Sequence, residues 1–139
     1  MTYREKLFDF VNTNWGILPE RLWVRFPGYA VLRNRENRKW FALVMDLPRE
    51  KLGLEGGGIT DVVNVKLDDP LLADLLTRQP GFYPGYHIRR GNWITILLDG
   101  TVPFGEICRW VEESRRVTRG LPKSGKTGGG DLDAAEDGR

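Results

Sequence analysis

The chain has 139 residues, 40% of them apolar and 29% charged, with a net charge of +2 and a pI near 8.8. This is globular composition, enough for one domain with its own core, and the mild positive charge permits a nucleic-acid partner without demanding one. A single cysteine, Cys108, excludes an internal disulfide, the charged N-terminus is no secretory segment, and no apolar run approaches the roughly 20 residues that cross a bilayer, so a cytoplasmic location and no membrane partner are expected.

Thr2 followed by Glu5 is a capping-box pattern, and Tyr3, Leu7, Phe10 and Val11 then fall on one face at helical spacing. Strand-like runs are predicted over residues 22–26, 29–33 and 40–45, followed by a loop over 47–59 that ends in Gly56-Gly57-Gly58, and a further strand over 62–67. Asp69-Pro70 supplies an N-cap and first-turn pair for a helix with Leu71, Leu72, Leu75 and Leu76 on its inner face, ended by Pro80-Gly81. Strands over 82–89 and 92–98 form a hairpin through Arg90-Gly91. Pro103 opens the last helix, with Phe104, Ile107, Cys108 and Val111 inward and Glu112, Glu113, Arg115 and Arg116 toward water. With no strand–helix alternation, the pattern predicts an α+β domain over residues 1–120, a mostly antiparallel sheet with helices on one face.

Composition changes after Gly120. Residues 121–139 hold five glycines and only two sizeable apolar side chains, Leu121 and Leu132, too little to offset the entropy of ordering them, so a disordered tail is expected. The match Gly120-Leu121-Pro122-Lys123-Ser124-Gly125-Lys126-Thr127 has the P-loop letters, but a helix precedes it and Gly128-Gly129-Gly130 follows, where the chemistry needs a strand before and a helix after. It is a chance match.

No constellation suggests catalysis, a metal or a cofactor. His87, the only histidine, lacks companions at ligand or triad spacing and reads as a strand-edge side chain bonded to backbone. Cys108 reads as a buried inert thiol, and Asp68-Asp69 as one solvated carboxylate beside one helix cap.

Basic residues are more informative. Arg33-Asn34-Arg35-Glu36-Asn37-Arg38-Lys39 sets four cations between two predicted strands, and Arg89-Arg90 sets two more at another hairpin tip. Two such tips could grip two stretches of phosphate backbone, or could simply be wet turns. Trp40 and Trp93 lie on strands apolar on both faces, and could share a sheet face free of helices, open to a base, a partner or a small ligand.

Pro84-Gly85-Tyr86-His87, then Asn92-Trp93, then Leu98-Asp99-Gly100-Thr101-Val102-Pro103 resemble the MmcQ/YjbR family signature, with Trp40-Phe41-Ala42-Leu43, Val65-Lys66-Leu67 and Asp69-Pro70 fitting upstream. The resemblance implies a CyaY-like α+β fold and a double-wing arrangement of paired hairpins associated with DNA binding. CyaY binds iron through an acidic surface, whereas the first helix here offers only Glu5 and Asp9, so iron is not expected. The resulting expectation is a non-enzymatic, double-stranded DNA-binding module. It would use Arg33, Arg35, Arg38, Lys39, Arg89 and Arg90 on phosphate with His87 and Trp93 nearby. The alternative is an interaction or ligand-binding module using the face around Trp40 and Trp93.

Overall fold

The computed structural model describes residues 1–86, 88 and 92–120. The expected tail, and the P-loop-like match beyond its first glycine, lie outside them. Local signals fix the first helix, α1 (Tyr3–Trp15): the Thr2 hydroxyl accepts from the Glu5 amide, the Glu5 carboxylate accepts from the Thr2 amide, and Gly16 closes it in the left-handed region at φ 66°. Its Leu7 and Val11 are buried.

Five strands follow, β1 (Ala30–Arg33), β2 (Trp40–Pro48), β3 (Ile59–Lys66), β4 (Phe82–Pro84) and β5 (Trp93–Leu97). They make one antiparallel sheet in the order β1-β2-β3-β5-β4. Helices α2 (Pro70–Leu76) and α3 (Phe104–Thr118) join α1 on a single face. The α+β class and the one-sided helix layer agree with the sequence pattern. On that face Leu7, Val11, Leu76, Ile107 and Val111 pack on Leu32, Val44, Val63, Val65, Ile94 and Ile96.

Several local expectations are corrected. Residues 22–26 form no strand: the Phe26 amide donates to the Trp23 carbonyl and the Tyr29 amide to the Phe26 carbonyl, so the backbone spends its bonds on successive turns. Val24 is left 97% exposed, and only Glu20 bridges to Val31 on the outer edge of β1. The expected loop over 47–59 is shorter, because Leu47 and Pro48 continue the ladder opposite Thr60 and Ile59 and a 3₁₀ turn occupies Arg49–Leu52. In α2 the inner side chains are Leu72, Ala73 and Leu76, while Leu71 and Leu75 face water on the opposite side of a two-turn helix. β4 stops at Pro84. Only glycine fits next, since a Cβ on Gly85 would sit 2.3 Å from the Ile88 carbonyl oxygen, and the Tyr86 amide turns to the Thr95 hydroxyl (2.9 Å) instead of the ladder.

The other sheet face is not open. Val31, Leu43, Met45, Leu47, Val62 and Leu97 are buried there beneath Trp23, Tyr29, Leu52, Leu54, Tyr86 and Ile88. The exposed apolar face expected around Trp40 and Trp93 is therefore roofed by irregular segments rather than by helices.

A bulge shapes one end of this sheet. Leu32 pairs with Ala42 but Arg33 pairs with Trp40, which leaves Phe41 as the extra residue of β2. Phe41 turns into the helix-side core and Trp40 to the other face. The β2–β3 ladder starts only at Ala42–Val65. Ser114 of α3 fills the gap: its hydroxyl accepts from the Lys66 amide (2.8 Å) and donates to the Phe41 carbonyl (2.7 Å).

Candidate nucleic-acid interface

Strand direction decides where the basic turns lie. β1 runs toward Arg33, β2 leaves that end at Trp40, β3 returns to it at Lys66, and Lys66 pairs with Trp93 at the start of β5. β4 runs toward the same end at Pro84. The turn over residues 34–39 and the connection between Pro84 and Trp93 thus leave the sheet at one end. In the strand order, the midlines of the β1–β2 and β4–β5 pairs are three spacings apart, about 14 Å.

The first turn is held rigidly. The Asn34 amide donates to the Lys39 carbonyl (2.8 Å), the Arg38 amide to the Asn34 carbonyl (3.0 Å), and the Lys39 amide to the Asn37 side chain (3.0 Å). Arg38 takes the left-handed conformation, φ 65°. The C-terminus of α3 fastens underneath: the Asn34 side-chain amide donates to the Thr118 hydroxyl (2.7 Å) and that of Asn37 to the Thr118 carbonyl (3.0 Å). Arg115 and Arg119 both reach Glu36, at 3.6 and 3.5 Å.

The predicted cations are not equivalent. Glu20 binds Arg33 at 3.0 Å and Arg38 at 3.3 Å, and the Arg33 guanidinium also lies over the Trp40 ring. Arg33 is therefore half-buried framework, whereas the Arg38 side chain stays 64% exposed. Among the described residues neither Arg35 nor Lys39 has an acidic partner; Arg35 is exposed and Lys39 half-buried. His87, Arg89 and Arg90 lie outside the described residues. Trp93 is 5% exposed, so its ring is an interior group rather than a surface platform for a base.

Sequence reasoning missed the clamps Glu20, Asn37, Ser114 and Thr118, because their partners are distant in sequence; the Asn-x-x-Asn spacing inside the basic turn was the one local hint. It also set Arg115, Arg116 and Asp68 in water. Instead the Arg115 guanidinium lies 4.7 Å over the Trp15 ring, and burial, then the neighbouring Arg119, holds its pKa below the usual arginine value. Arg116 bridges Glu113 and Asp68, and the hydrogen bond it donates to the Glu113 carboxylate raises its pKa. Beside them a cleft of about 410 Å³ is lined by Trp15, Arg109, Glu112, Glu113, Arg115, Arg116 and Arg119. Cys108 is half-buried, and burial pushes its thiol up to about 11.

The YjbR family model matches residues 18–117, which takes in both basic connections and the sheet between them. This chain belongs to the YjbR family. Its relatives include the uncharacterised Bacillus subtilis protein YyaQ, 40% identical over 119 residues that are 86% of this chain and 100% of that one. A Pseudomonas syringae crystal structure, also 40% identical, superposes with a TM-score of 0.75 over 80% of this YjbR chain and 94% of its own. A Deinococcus radiodurans crystal structure with 18% identity and a TM-score of 0.62 covers 97% of this chain and 89% of its own, a likeness of fold. No helix among the described residues is long and apolar enough to cross a membrane.

Proposed function

We propose that this YjbR protein is a non-enzymatic module that binds the phosphate backbone of double-stranded DNA with the sheet end bearing its two basic connections. The observation that supports this reading is strand polarity, which brings residues 34–39 and the ends of the connection from Pro84 to Trp93 to the same end. The separation of about 14 Å is close to the roughly 12 Å width of a B-DNA major groove, so contacts could fall on both sides of one groove.

Arg35, Arg38 and Lys39 are the cations of the first turn with capacity for phosphate, and their backbone is ordered before any ligand arrives. Backbone contacts position a protein without reading sequence, so weak discrimination between duplexes is expected.

The test is fluorescence anisotropy of a labelled 20-base-pair duplex at low salt. Wild type should bind, and the Arg35→Ala/Lys39→Ala double variant should bind at least tenfold more weakly with its fold intact. Equal binding by the two proteins would overturn the assignment.

A further inference from the structure

The basic turn between β1 and β2 keeps little negative charge of its own. Glu36, the one acid within residues 34–39, turns to α3 and meets Arg115 and Arg119 at 3.6 and 3.5 Å. Glu20 is shared by Arg33 and Arg38. Arg35, exposed, and Lys39, half-buried, have no acidic partner among the described residues. Their charges stand close together on a backbone already held by its own hydrogen bonds.

The end of α3 is fastened to this same turn. Thr118 accepts from the Asn34 side chain on its hydroxyl (2.7 Å) and from the Asn37 side chain on its carbonyl (3.0 Å). Gly120 therefore lies within two residues of a direct contact with the turn. Residues 121–130 follow, four of them glycine, and then Asp131-Leu132-Asp133-Ala134-Ala135-Glu136-Asp137. That stretch holds four acids and no base, the densest cluster of carboxylates in the sequence. From Gly120 to Asp131 a glycine-rich chain spans about 18 Å root-mean-square. The acids thus reach the turn at an effective concentration in the millimolar range.

We propose that the acidic segment 131–137 docks on Arg35 and Lys39 of its own chain and competes there with nucleic-acid phosphate. Carboxylate oxygens accept from guanidinium and ammonium groups as phosphate oxygens do, through charge-assisted hydrogen bonds. Each exposed pair is weak alone, and the tether supplies the local concentration that lets several form together. The docking stands on the position of Thr118 and on the charge pattern, while the competition rests on the DNA-binding reading.

A nitroxide on Ala134→Cys, in a Cys108→Ala background, reports docking by broadening nearby amide signals in a ¹⁵N-labelled full-length sample. At low salt the signals of residues 35–39 should broaden more than in a form carrying Asp131→Asn, Asp133→Asn, Glu136→Gln and Asp137→Asn. High salt should remove the excess, and so should Arg35→Ala/Lys39→Ala. In anisotropy with the labelled duplex, neutralising the four acids should tighten binding at least about threefold, and less in the Arg35→Ala/Lys39→Ala background. Equal broadening with and without the four acids would overturn the docking, whatever the duplex does. Excess broadening with DNA affinity unchanged by neutralisation would overturn the competition. Excess broadening with no duplex binding by any form would support the docking and overturn the DNA-binding reading.

Discussion

Replacing Ser114 with alanine removes a single oxygen, yet that oxygen closes two backbone groups where the bulge interrupts the β2–β3 ladder. It accepts from the Lys66 amide at 2.8 Å and donates to the Phe41 carbonyl at 2.7 Å, and Ser114 itself is fully buried. In Ser114→Ala both groups stay inside the protein without partners, each costing about 1–3 kcal/mol. A total of about 3 kcal/mol follows, a large share of a typical domain's stability of about 5–15 kcal/mol. Urea unfolding followed by tryptophan fluorescence measures it: the midpoint should fall with an unchanged slope, since the surface exposed on unfolding is the same. The melting temperature should drop by roughly 10 °C. A loss below about 1 kcal/mol would refute the bridging role, because it would mean that the two groups pair elsewhere once the hydroxyl is gone.

Other consequences are equally specific. Arg38→Gly relieves a left-handed residue at φ 65° and forfeits only an exposed ion pair, so chemical denaturation should show unchanged or slightly higher stability, by up to about 1 kcal/mol, while the salt dependence of DNA binding loses about 0.9 from its slope. Glu20→Gln releases Arg33 and Arg38 from their shared carboxylate and should tighten DNA binding in anisotropy measurements, at a cost of about 1 kcal/mol or less in stability. The Cys108 thiol, raised to about 11 mainly by burial and then by Glu112, should alkylate about tenfold faster for each pH step from 8 to 10 without a plateau. Its folded-state value lies above the unfolded one, so the unfolded chain releases its proton first as pH rises; stability should fall between about pH 9 and 11, and less so in Cys108→Ala.

How much the sequence shows depends on how local each signal is. Thr2 with Glu5, and Asp69 with Pro70, announce their helices because caps act within four residues. The one-sided helix layer follows from apolar spacing. Residues 22–26 mislead, since Leu22, Val24 and Phe26 alternate like a strand while Trp23 and Tyr29 are the side chains that dock on the second face. The inner positions of α2 mislead similarly, because four leucines crowd a seven-residue helix that can bury only one side. The site was half legible. Arg33, Arg35, Arg38 and Lys39 cluster visibly in the sequence, but that Glu20 occupies two of them, and that Thr118 and Glu36 lock the turn to α3, depends on long-range contacts. That the two basic connections share one end depends on β3 lying between β2 and β5, a pairing no local motif encodes.

The most direct test of DNA binding by this end is the slope of affinity against salt for duplex DNA. Four phosphate contacts, shared between the two connections, give a slope of about −3.6 in log–log form, so affinity should fall roughly 150-fold between 50 and 200 mM salt. The slope should shrink by about 1.8 in Arg35→Ala/Lys39→Ala. No binding at 50 mM salt, or the same slope in that variant, would contradict the account.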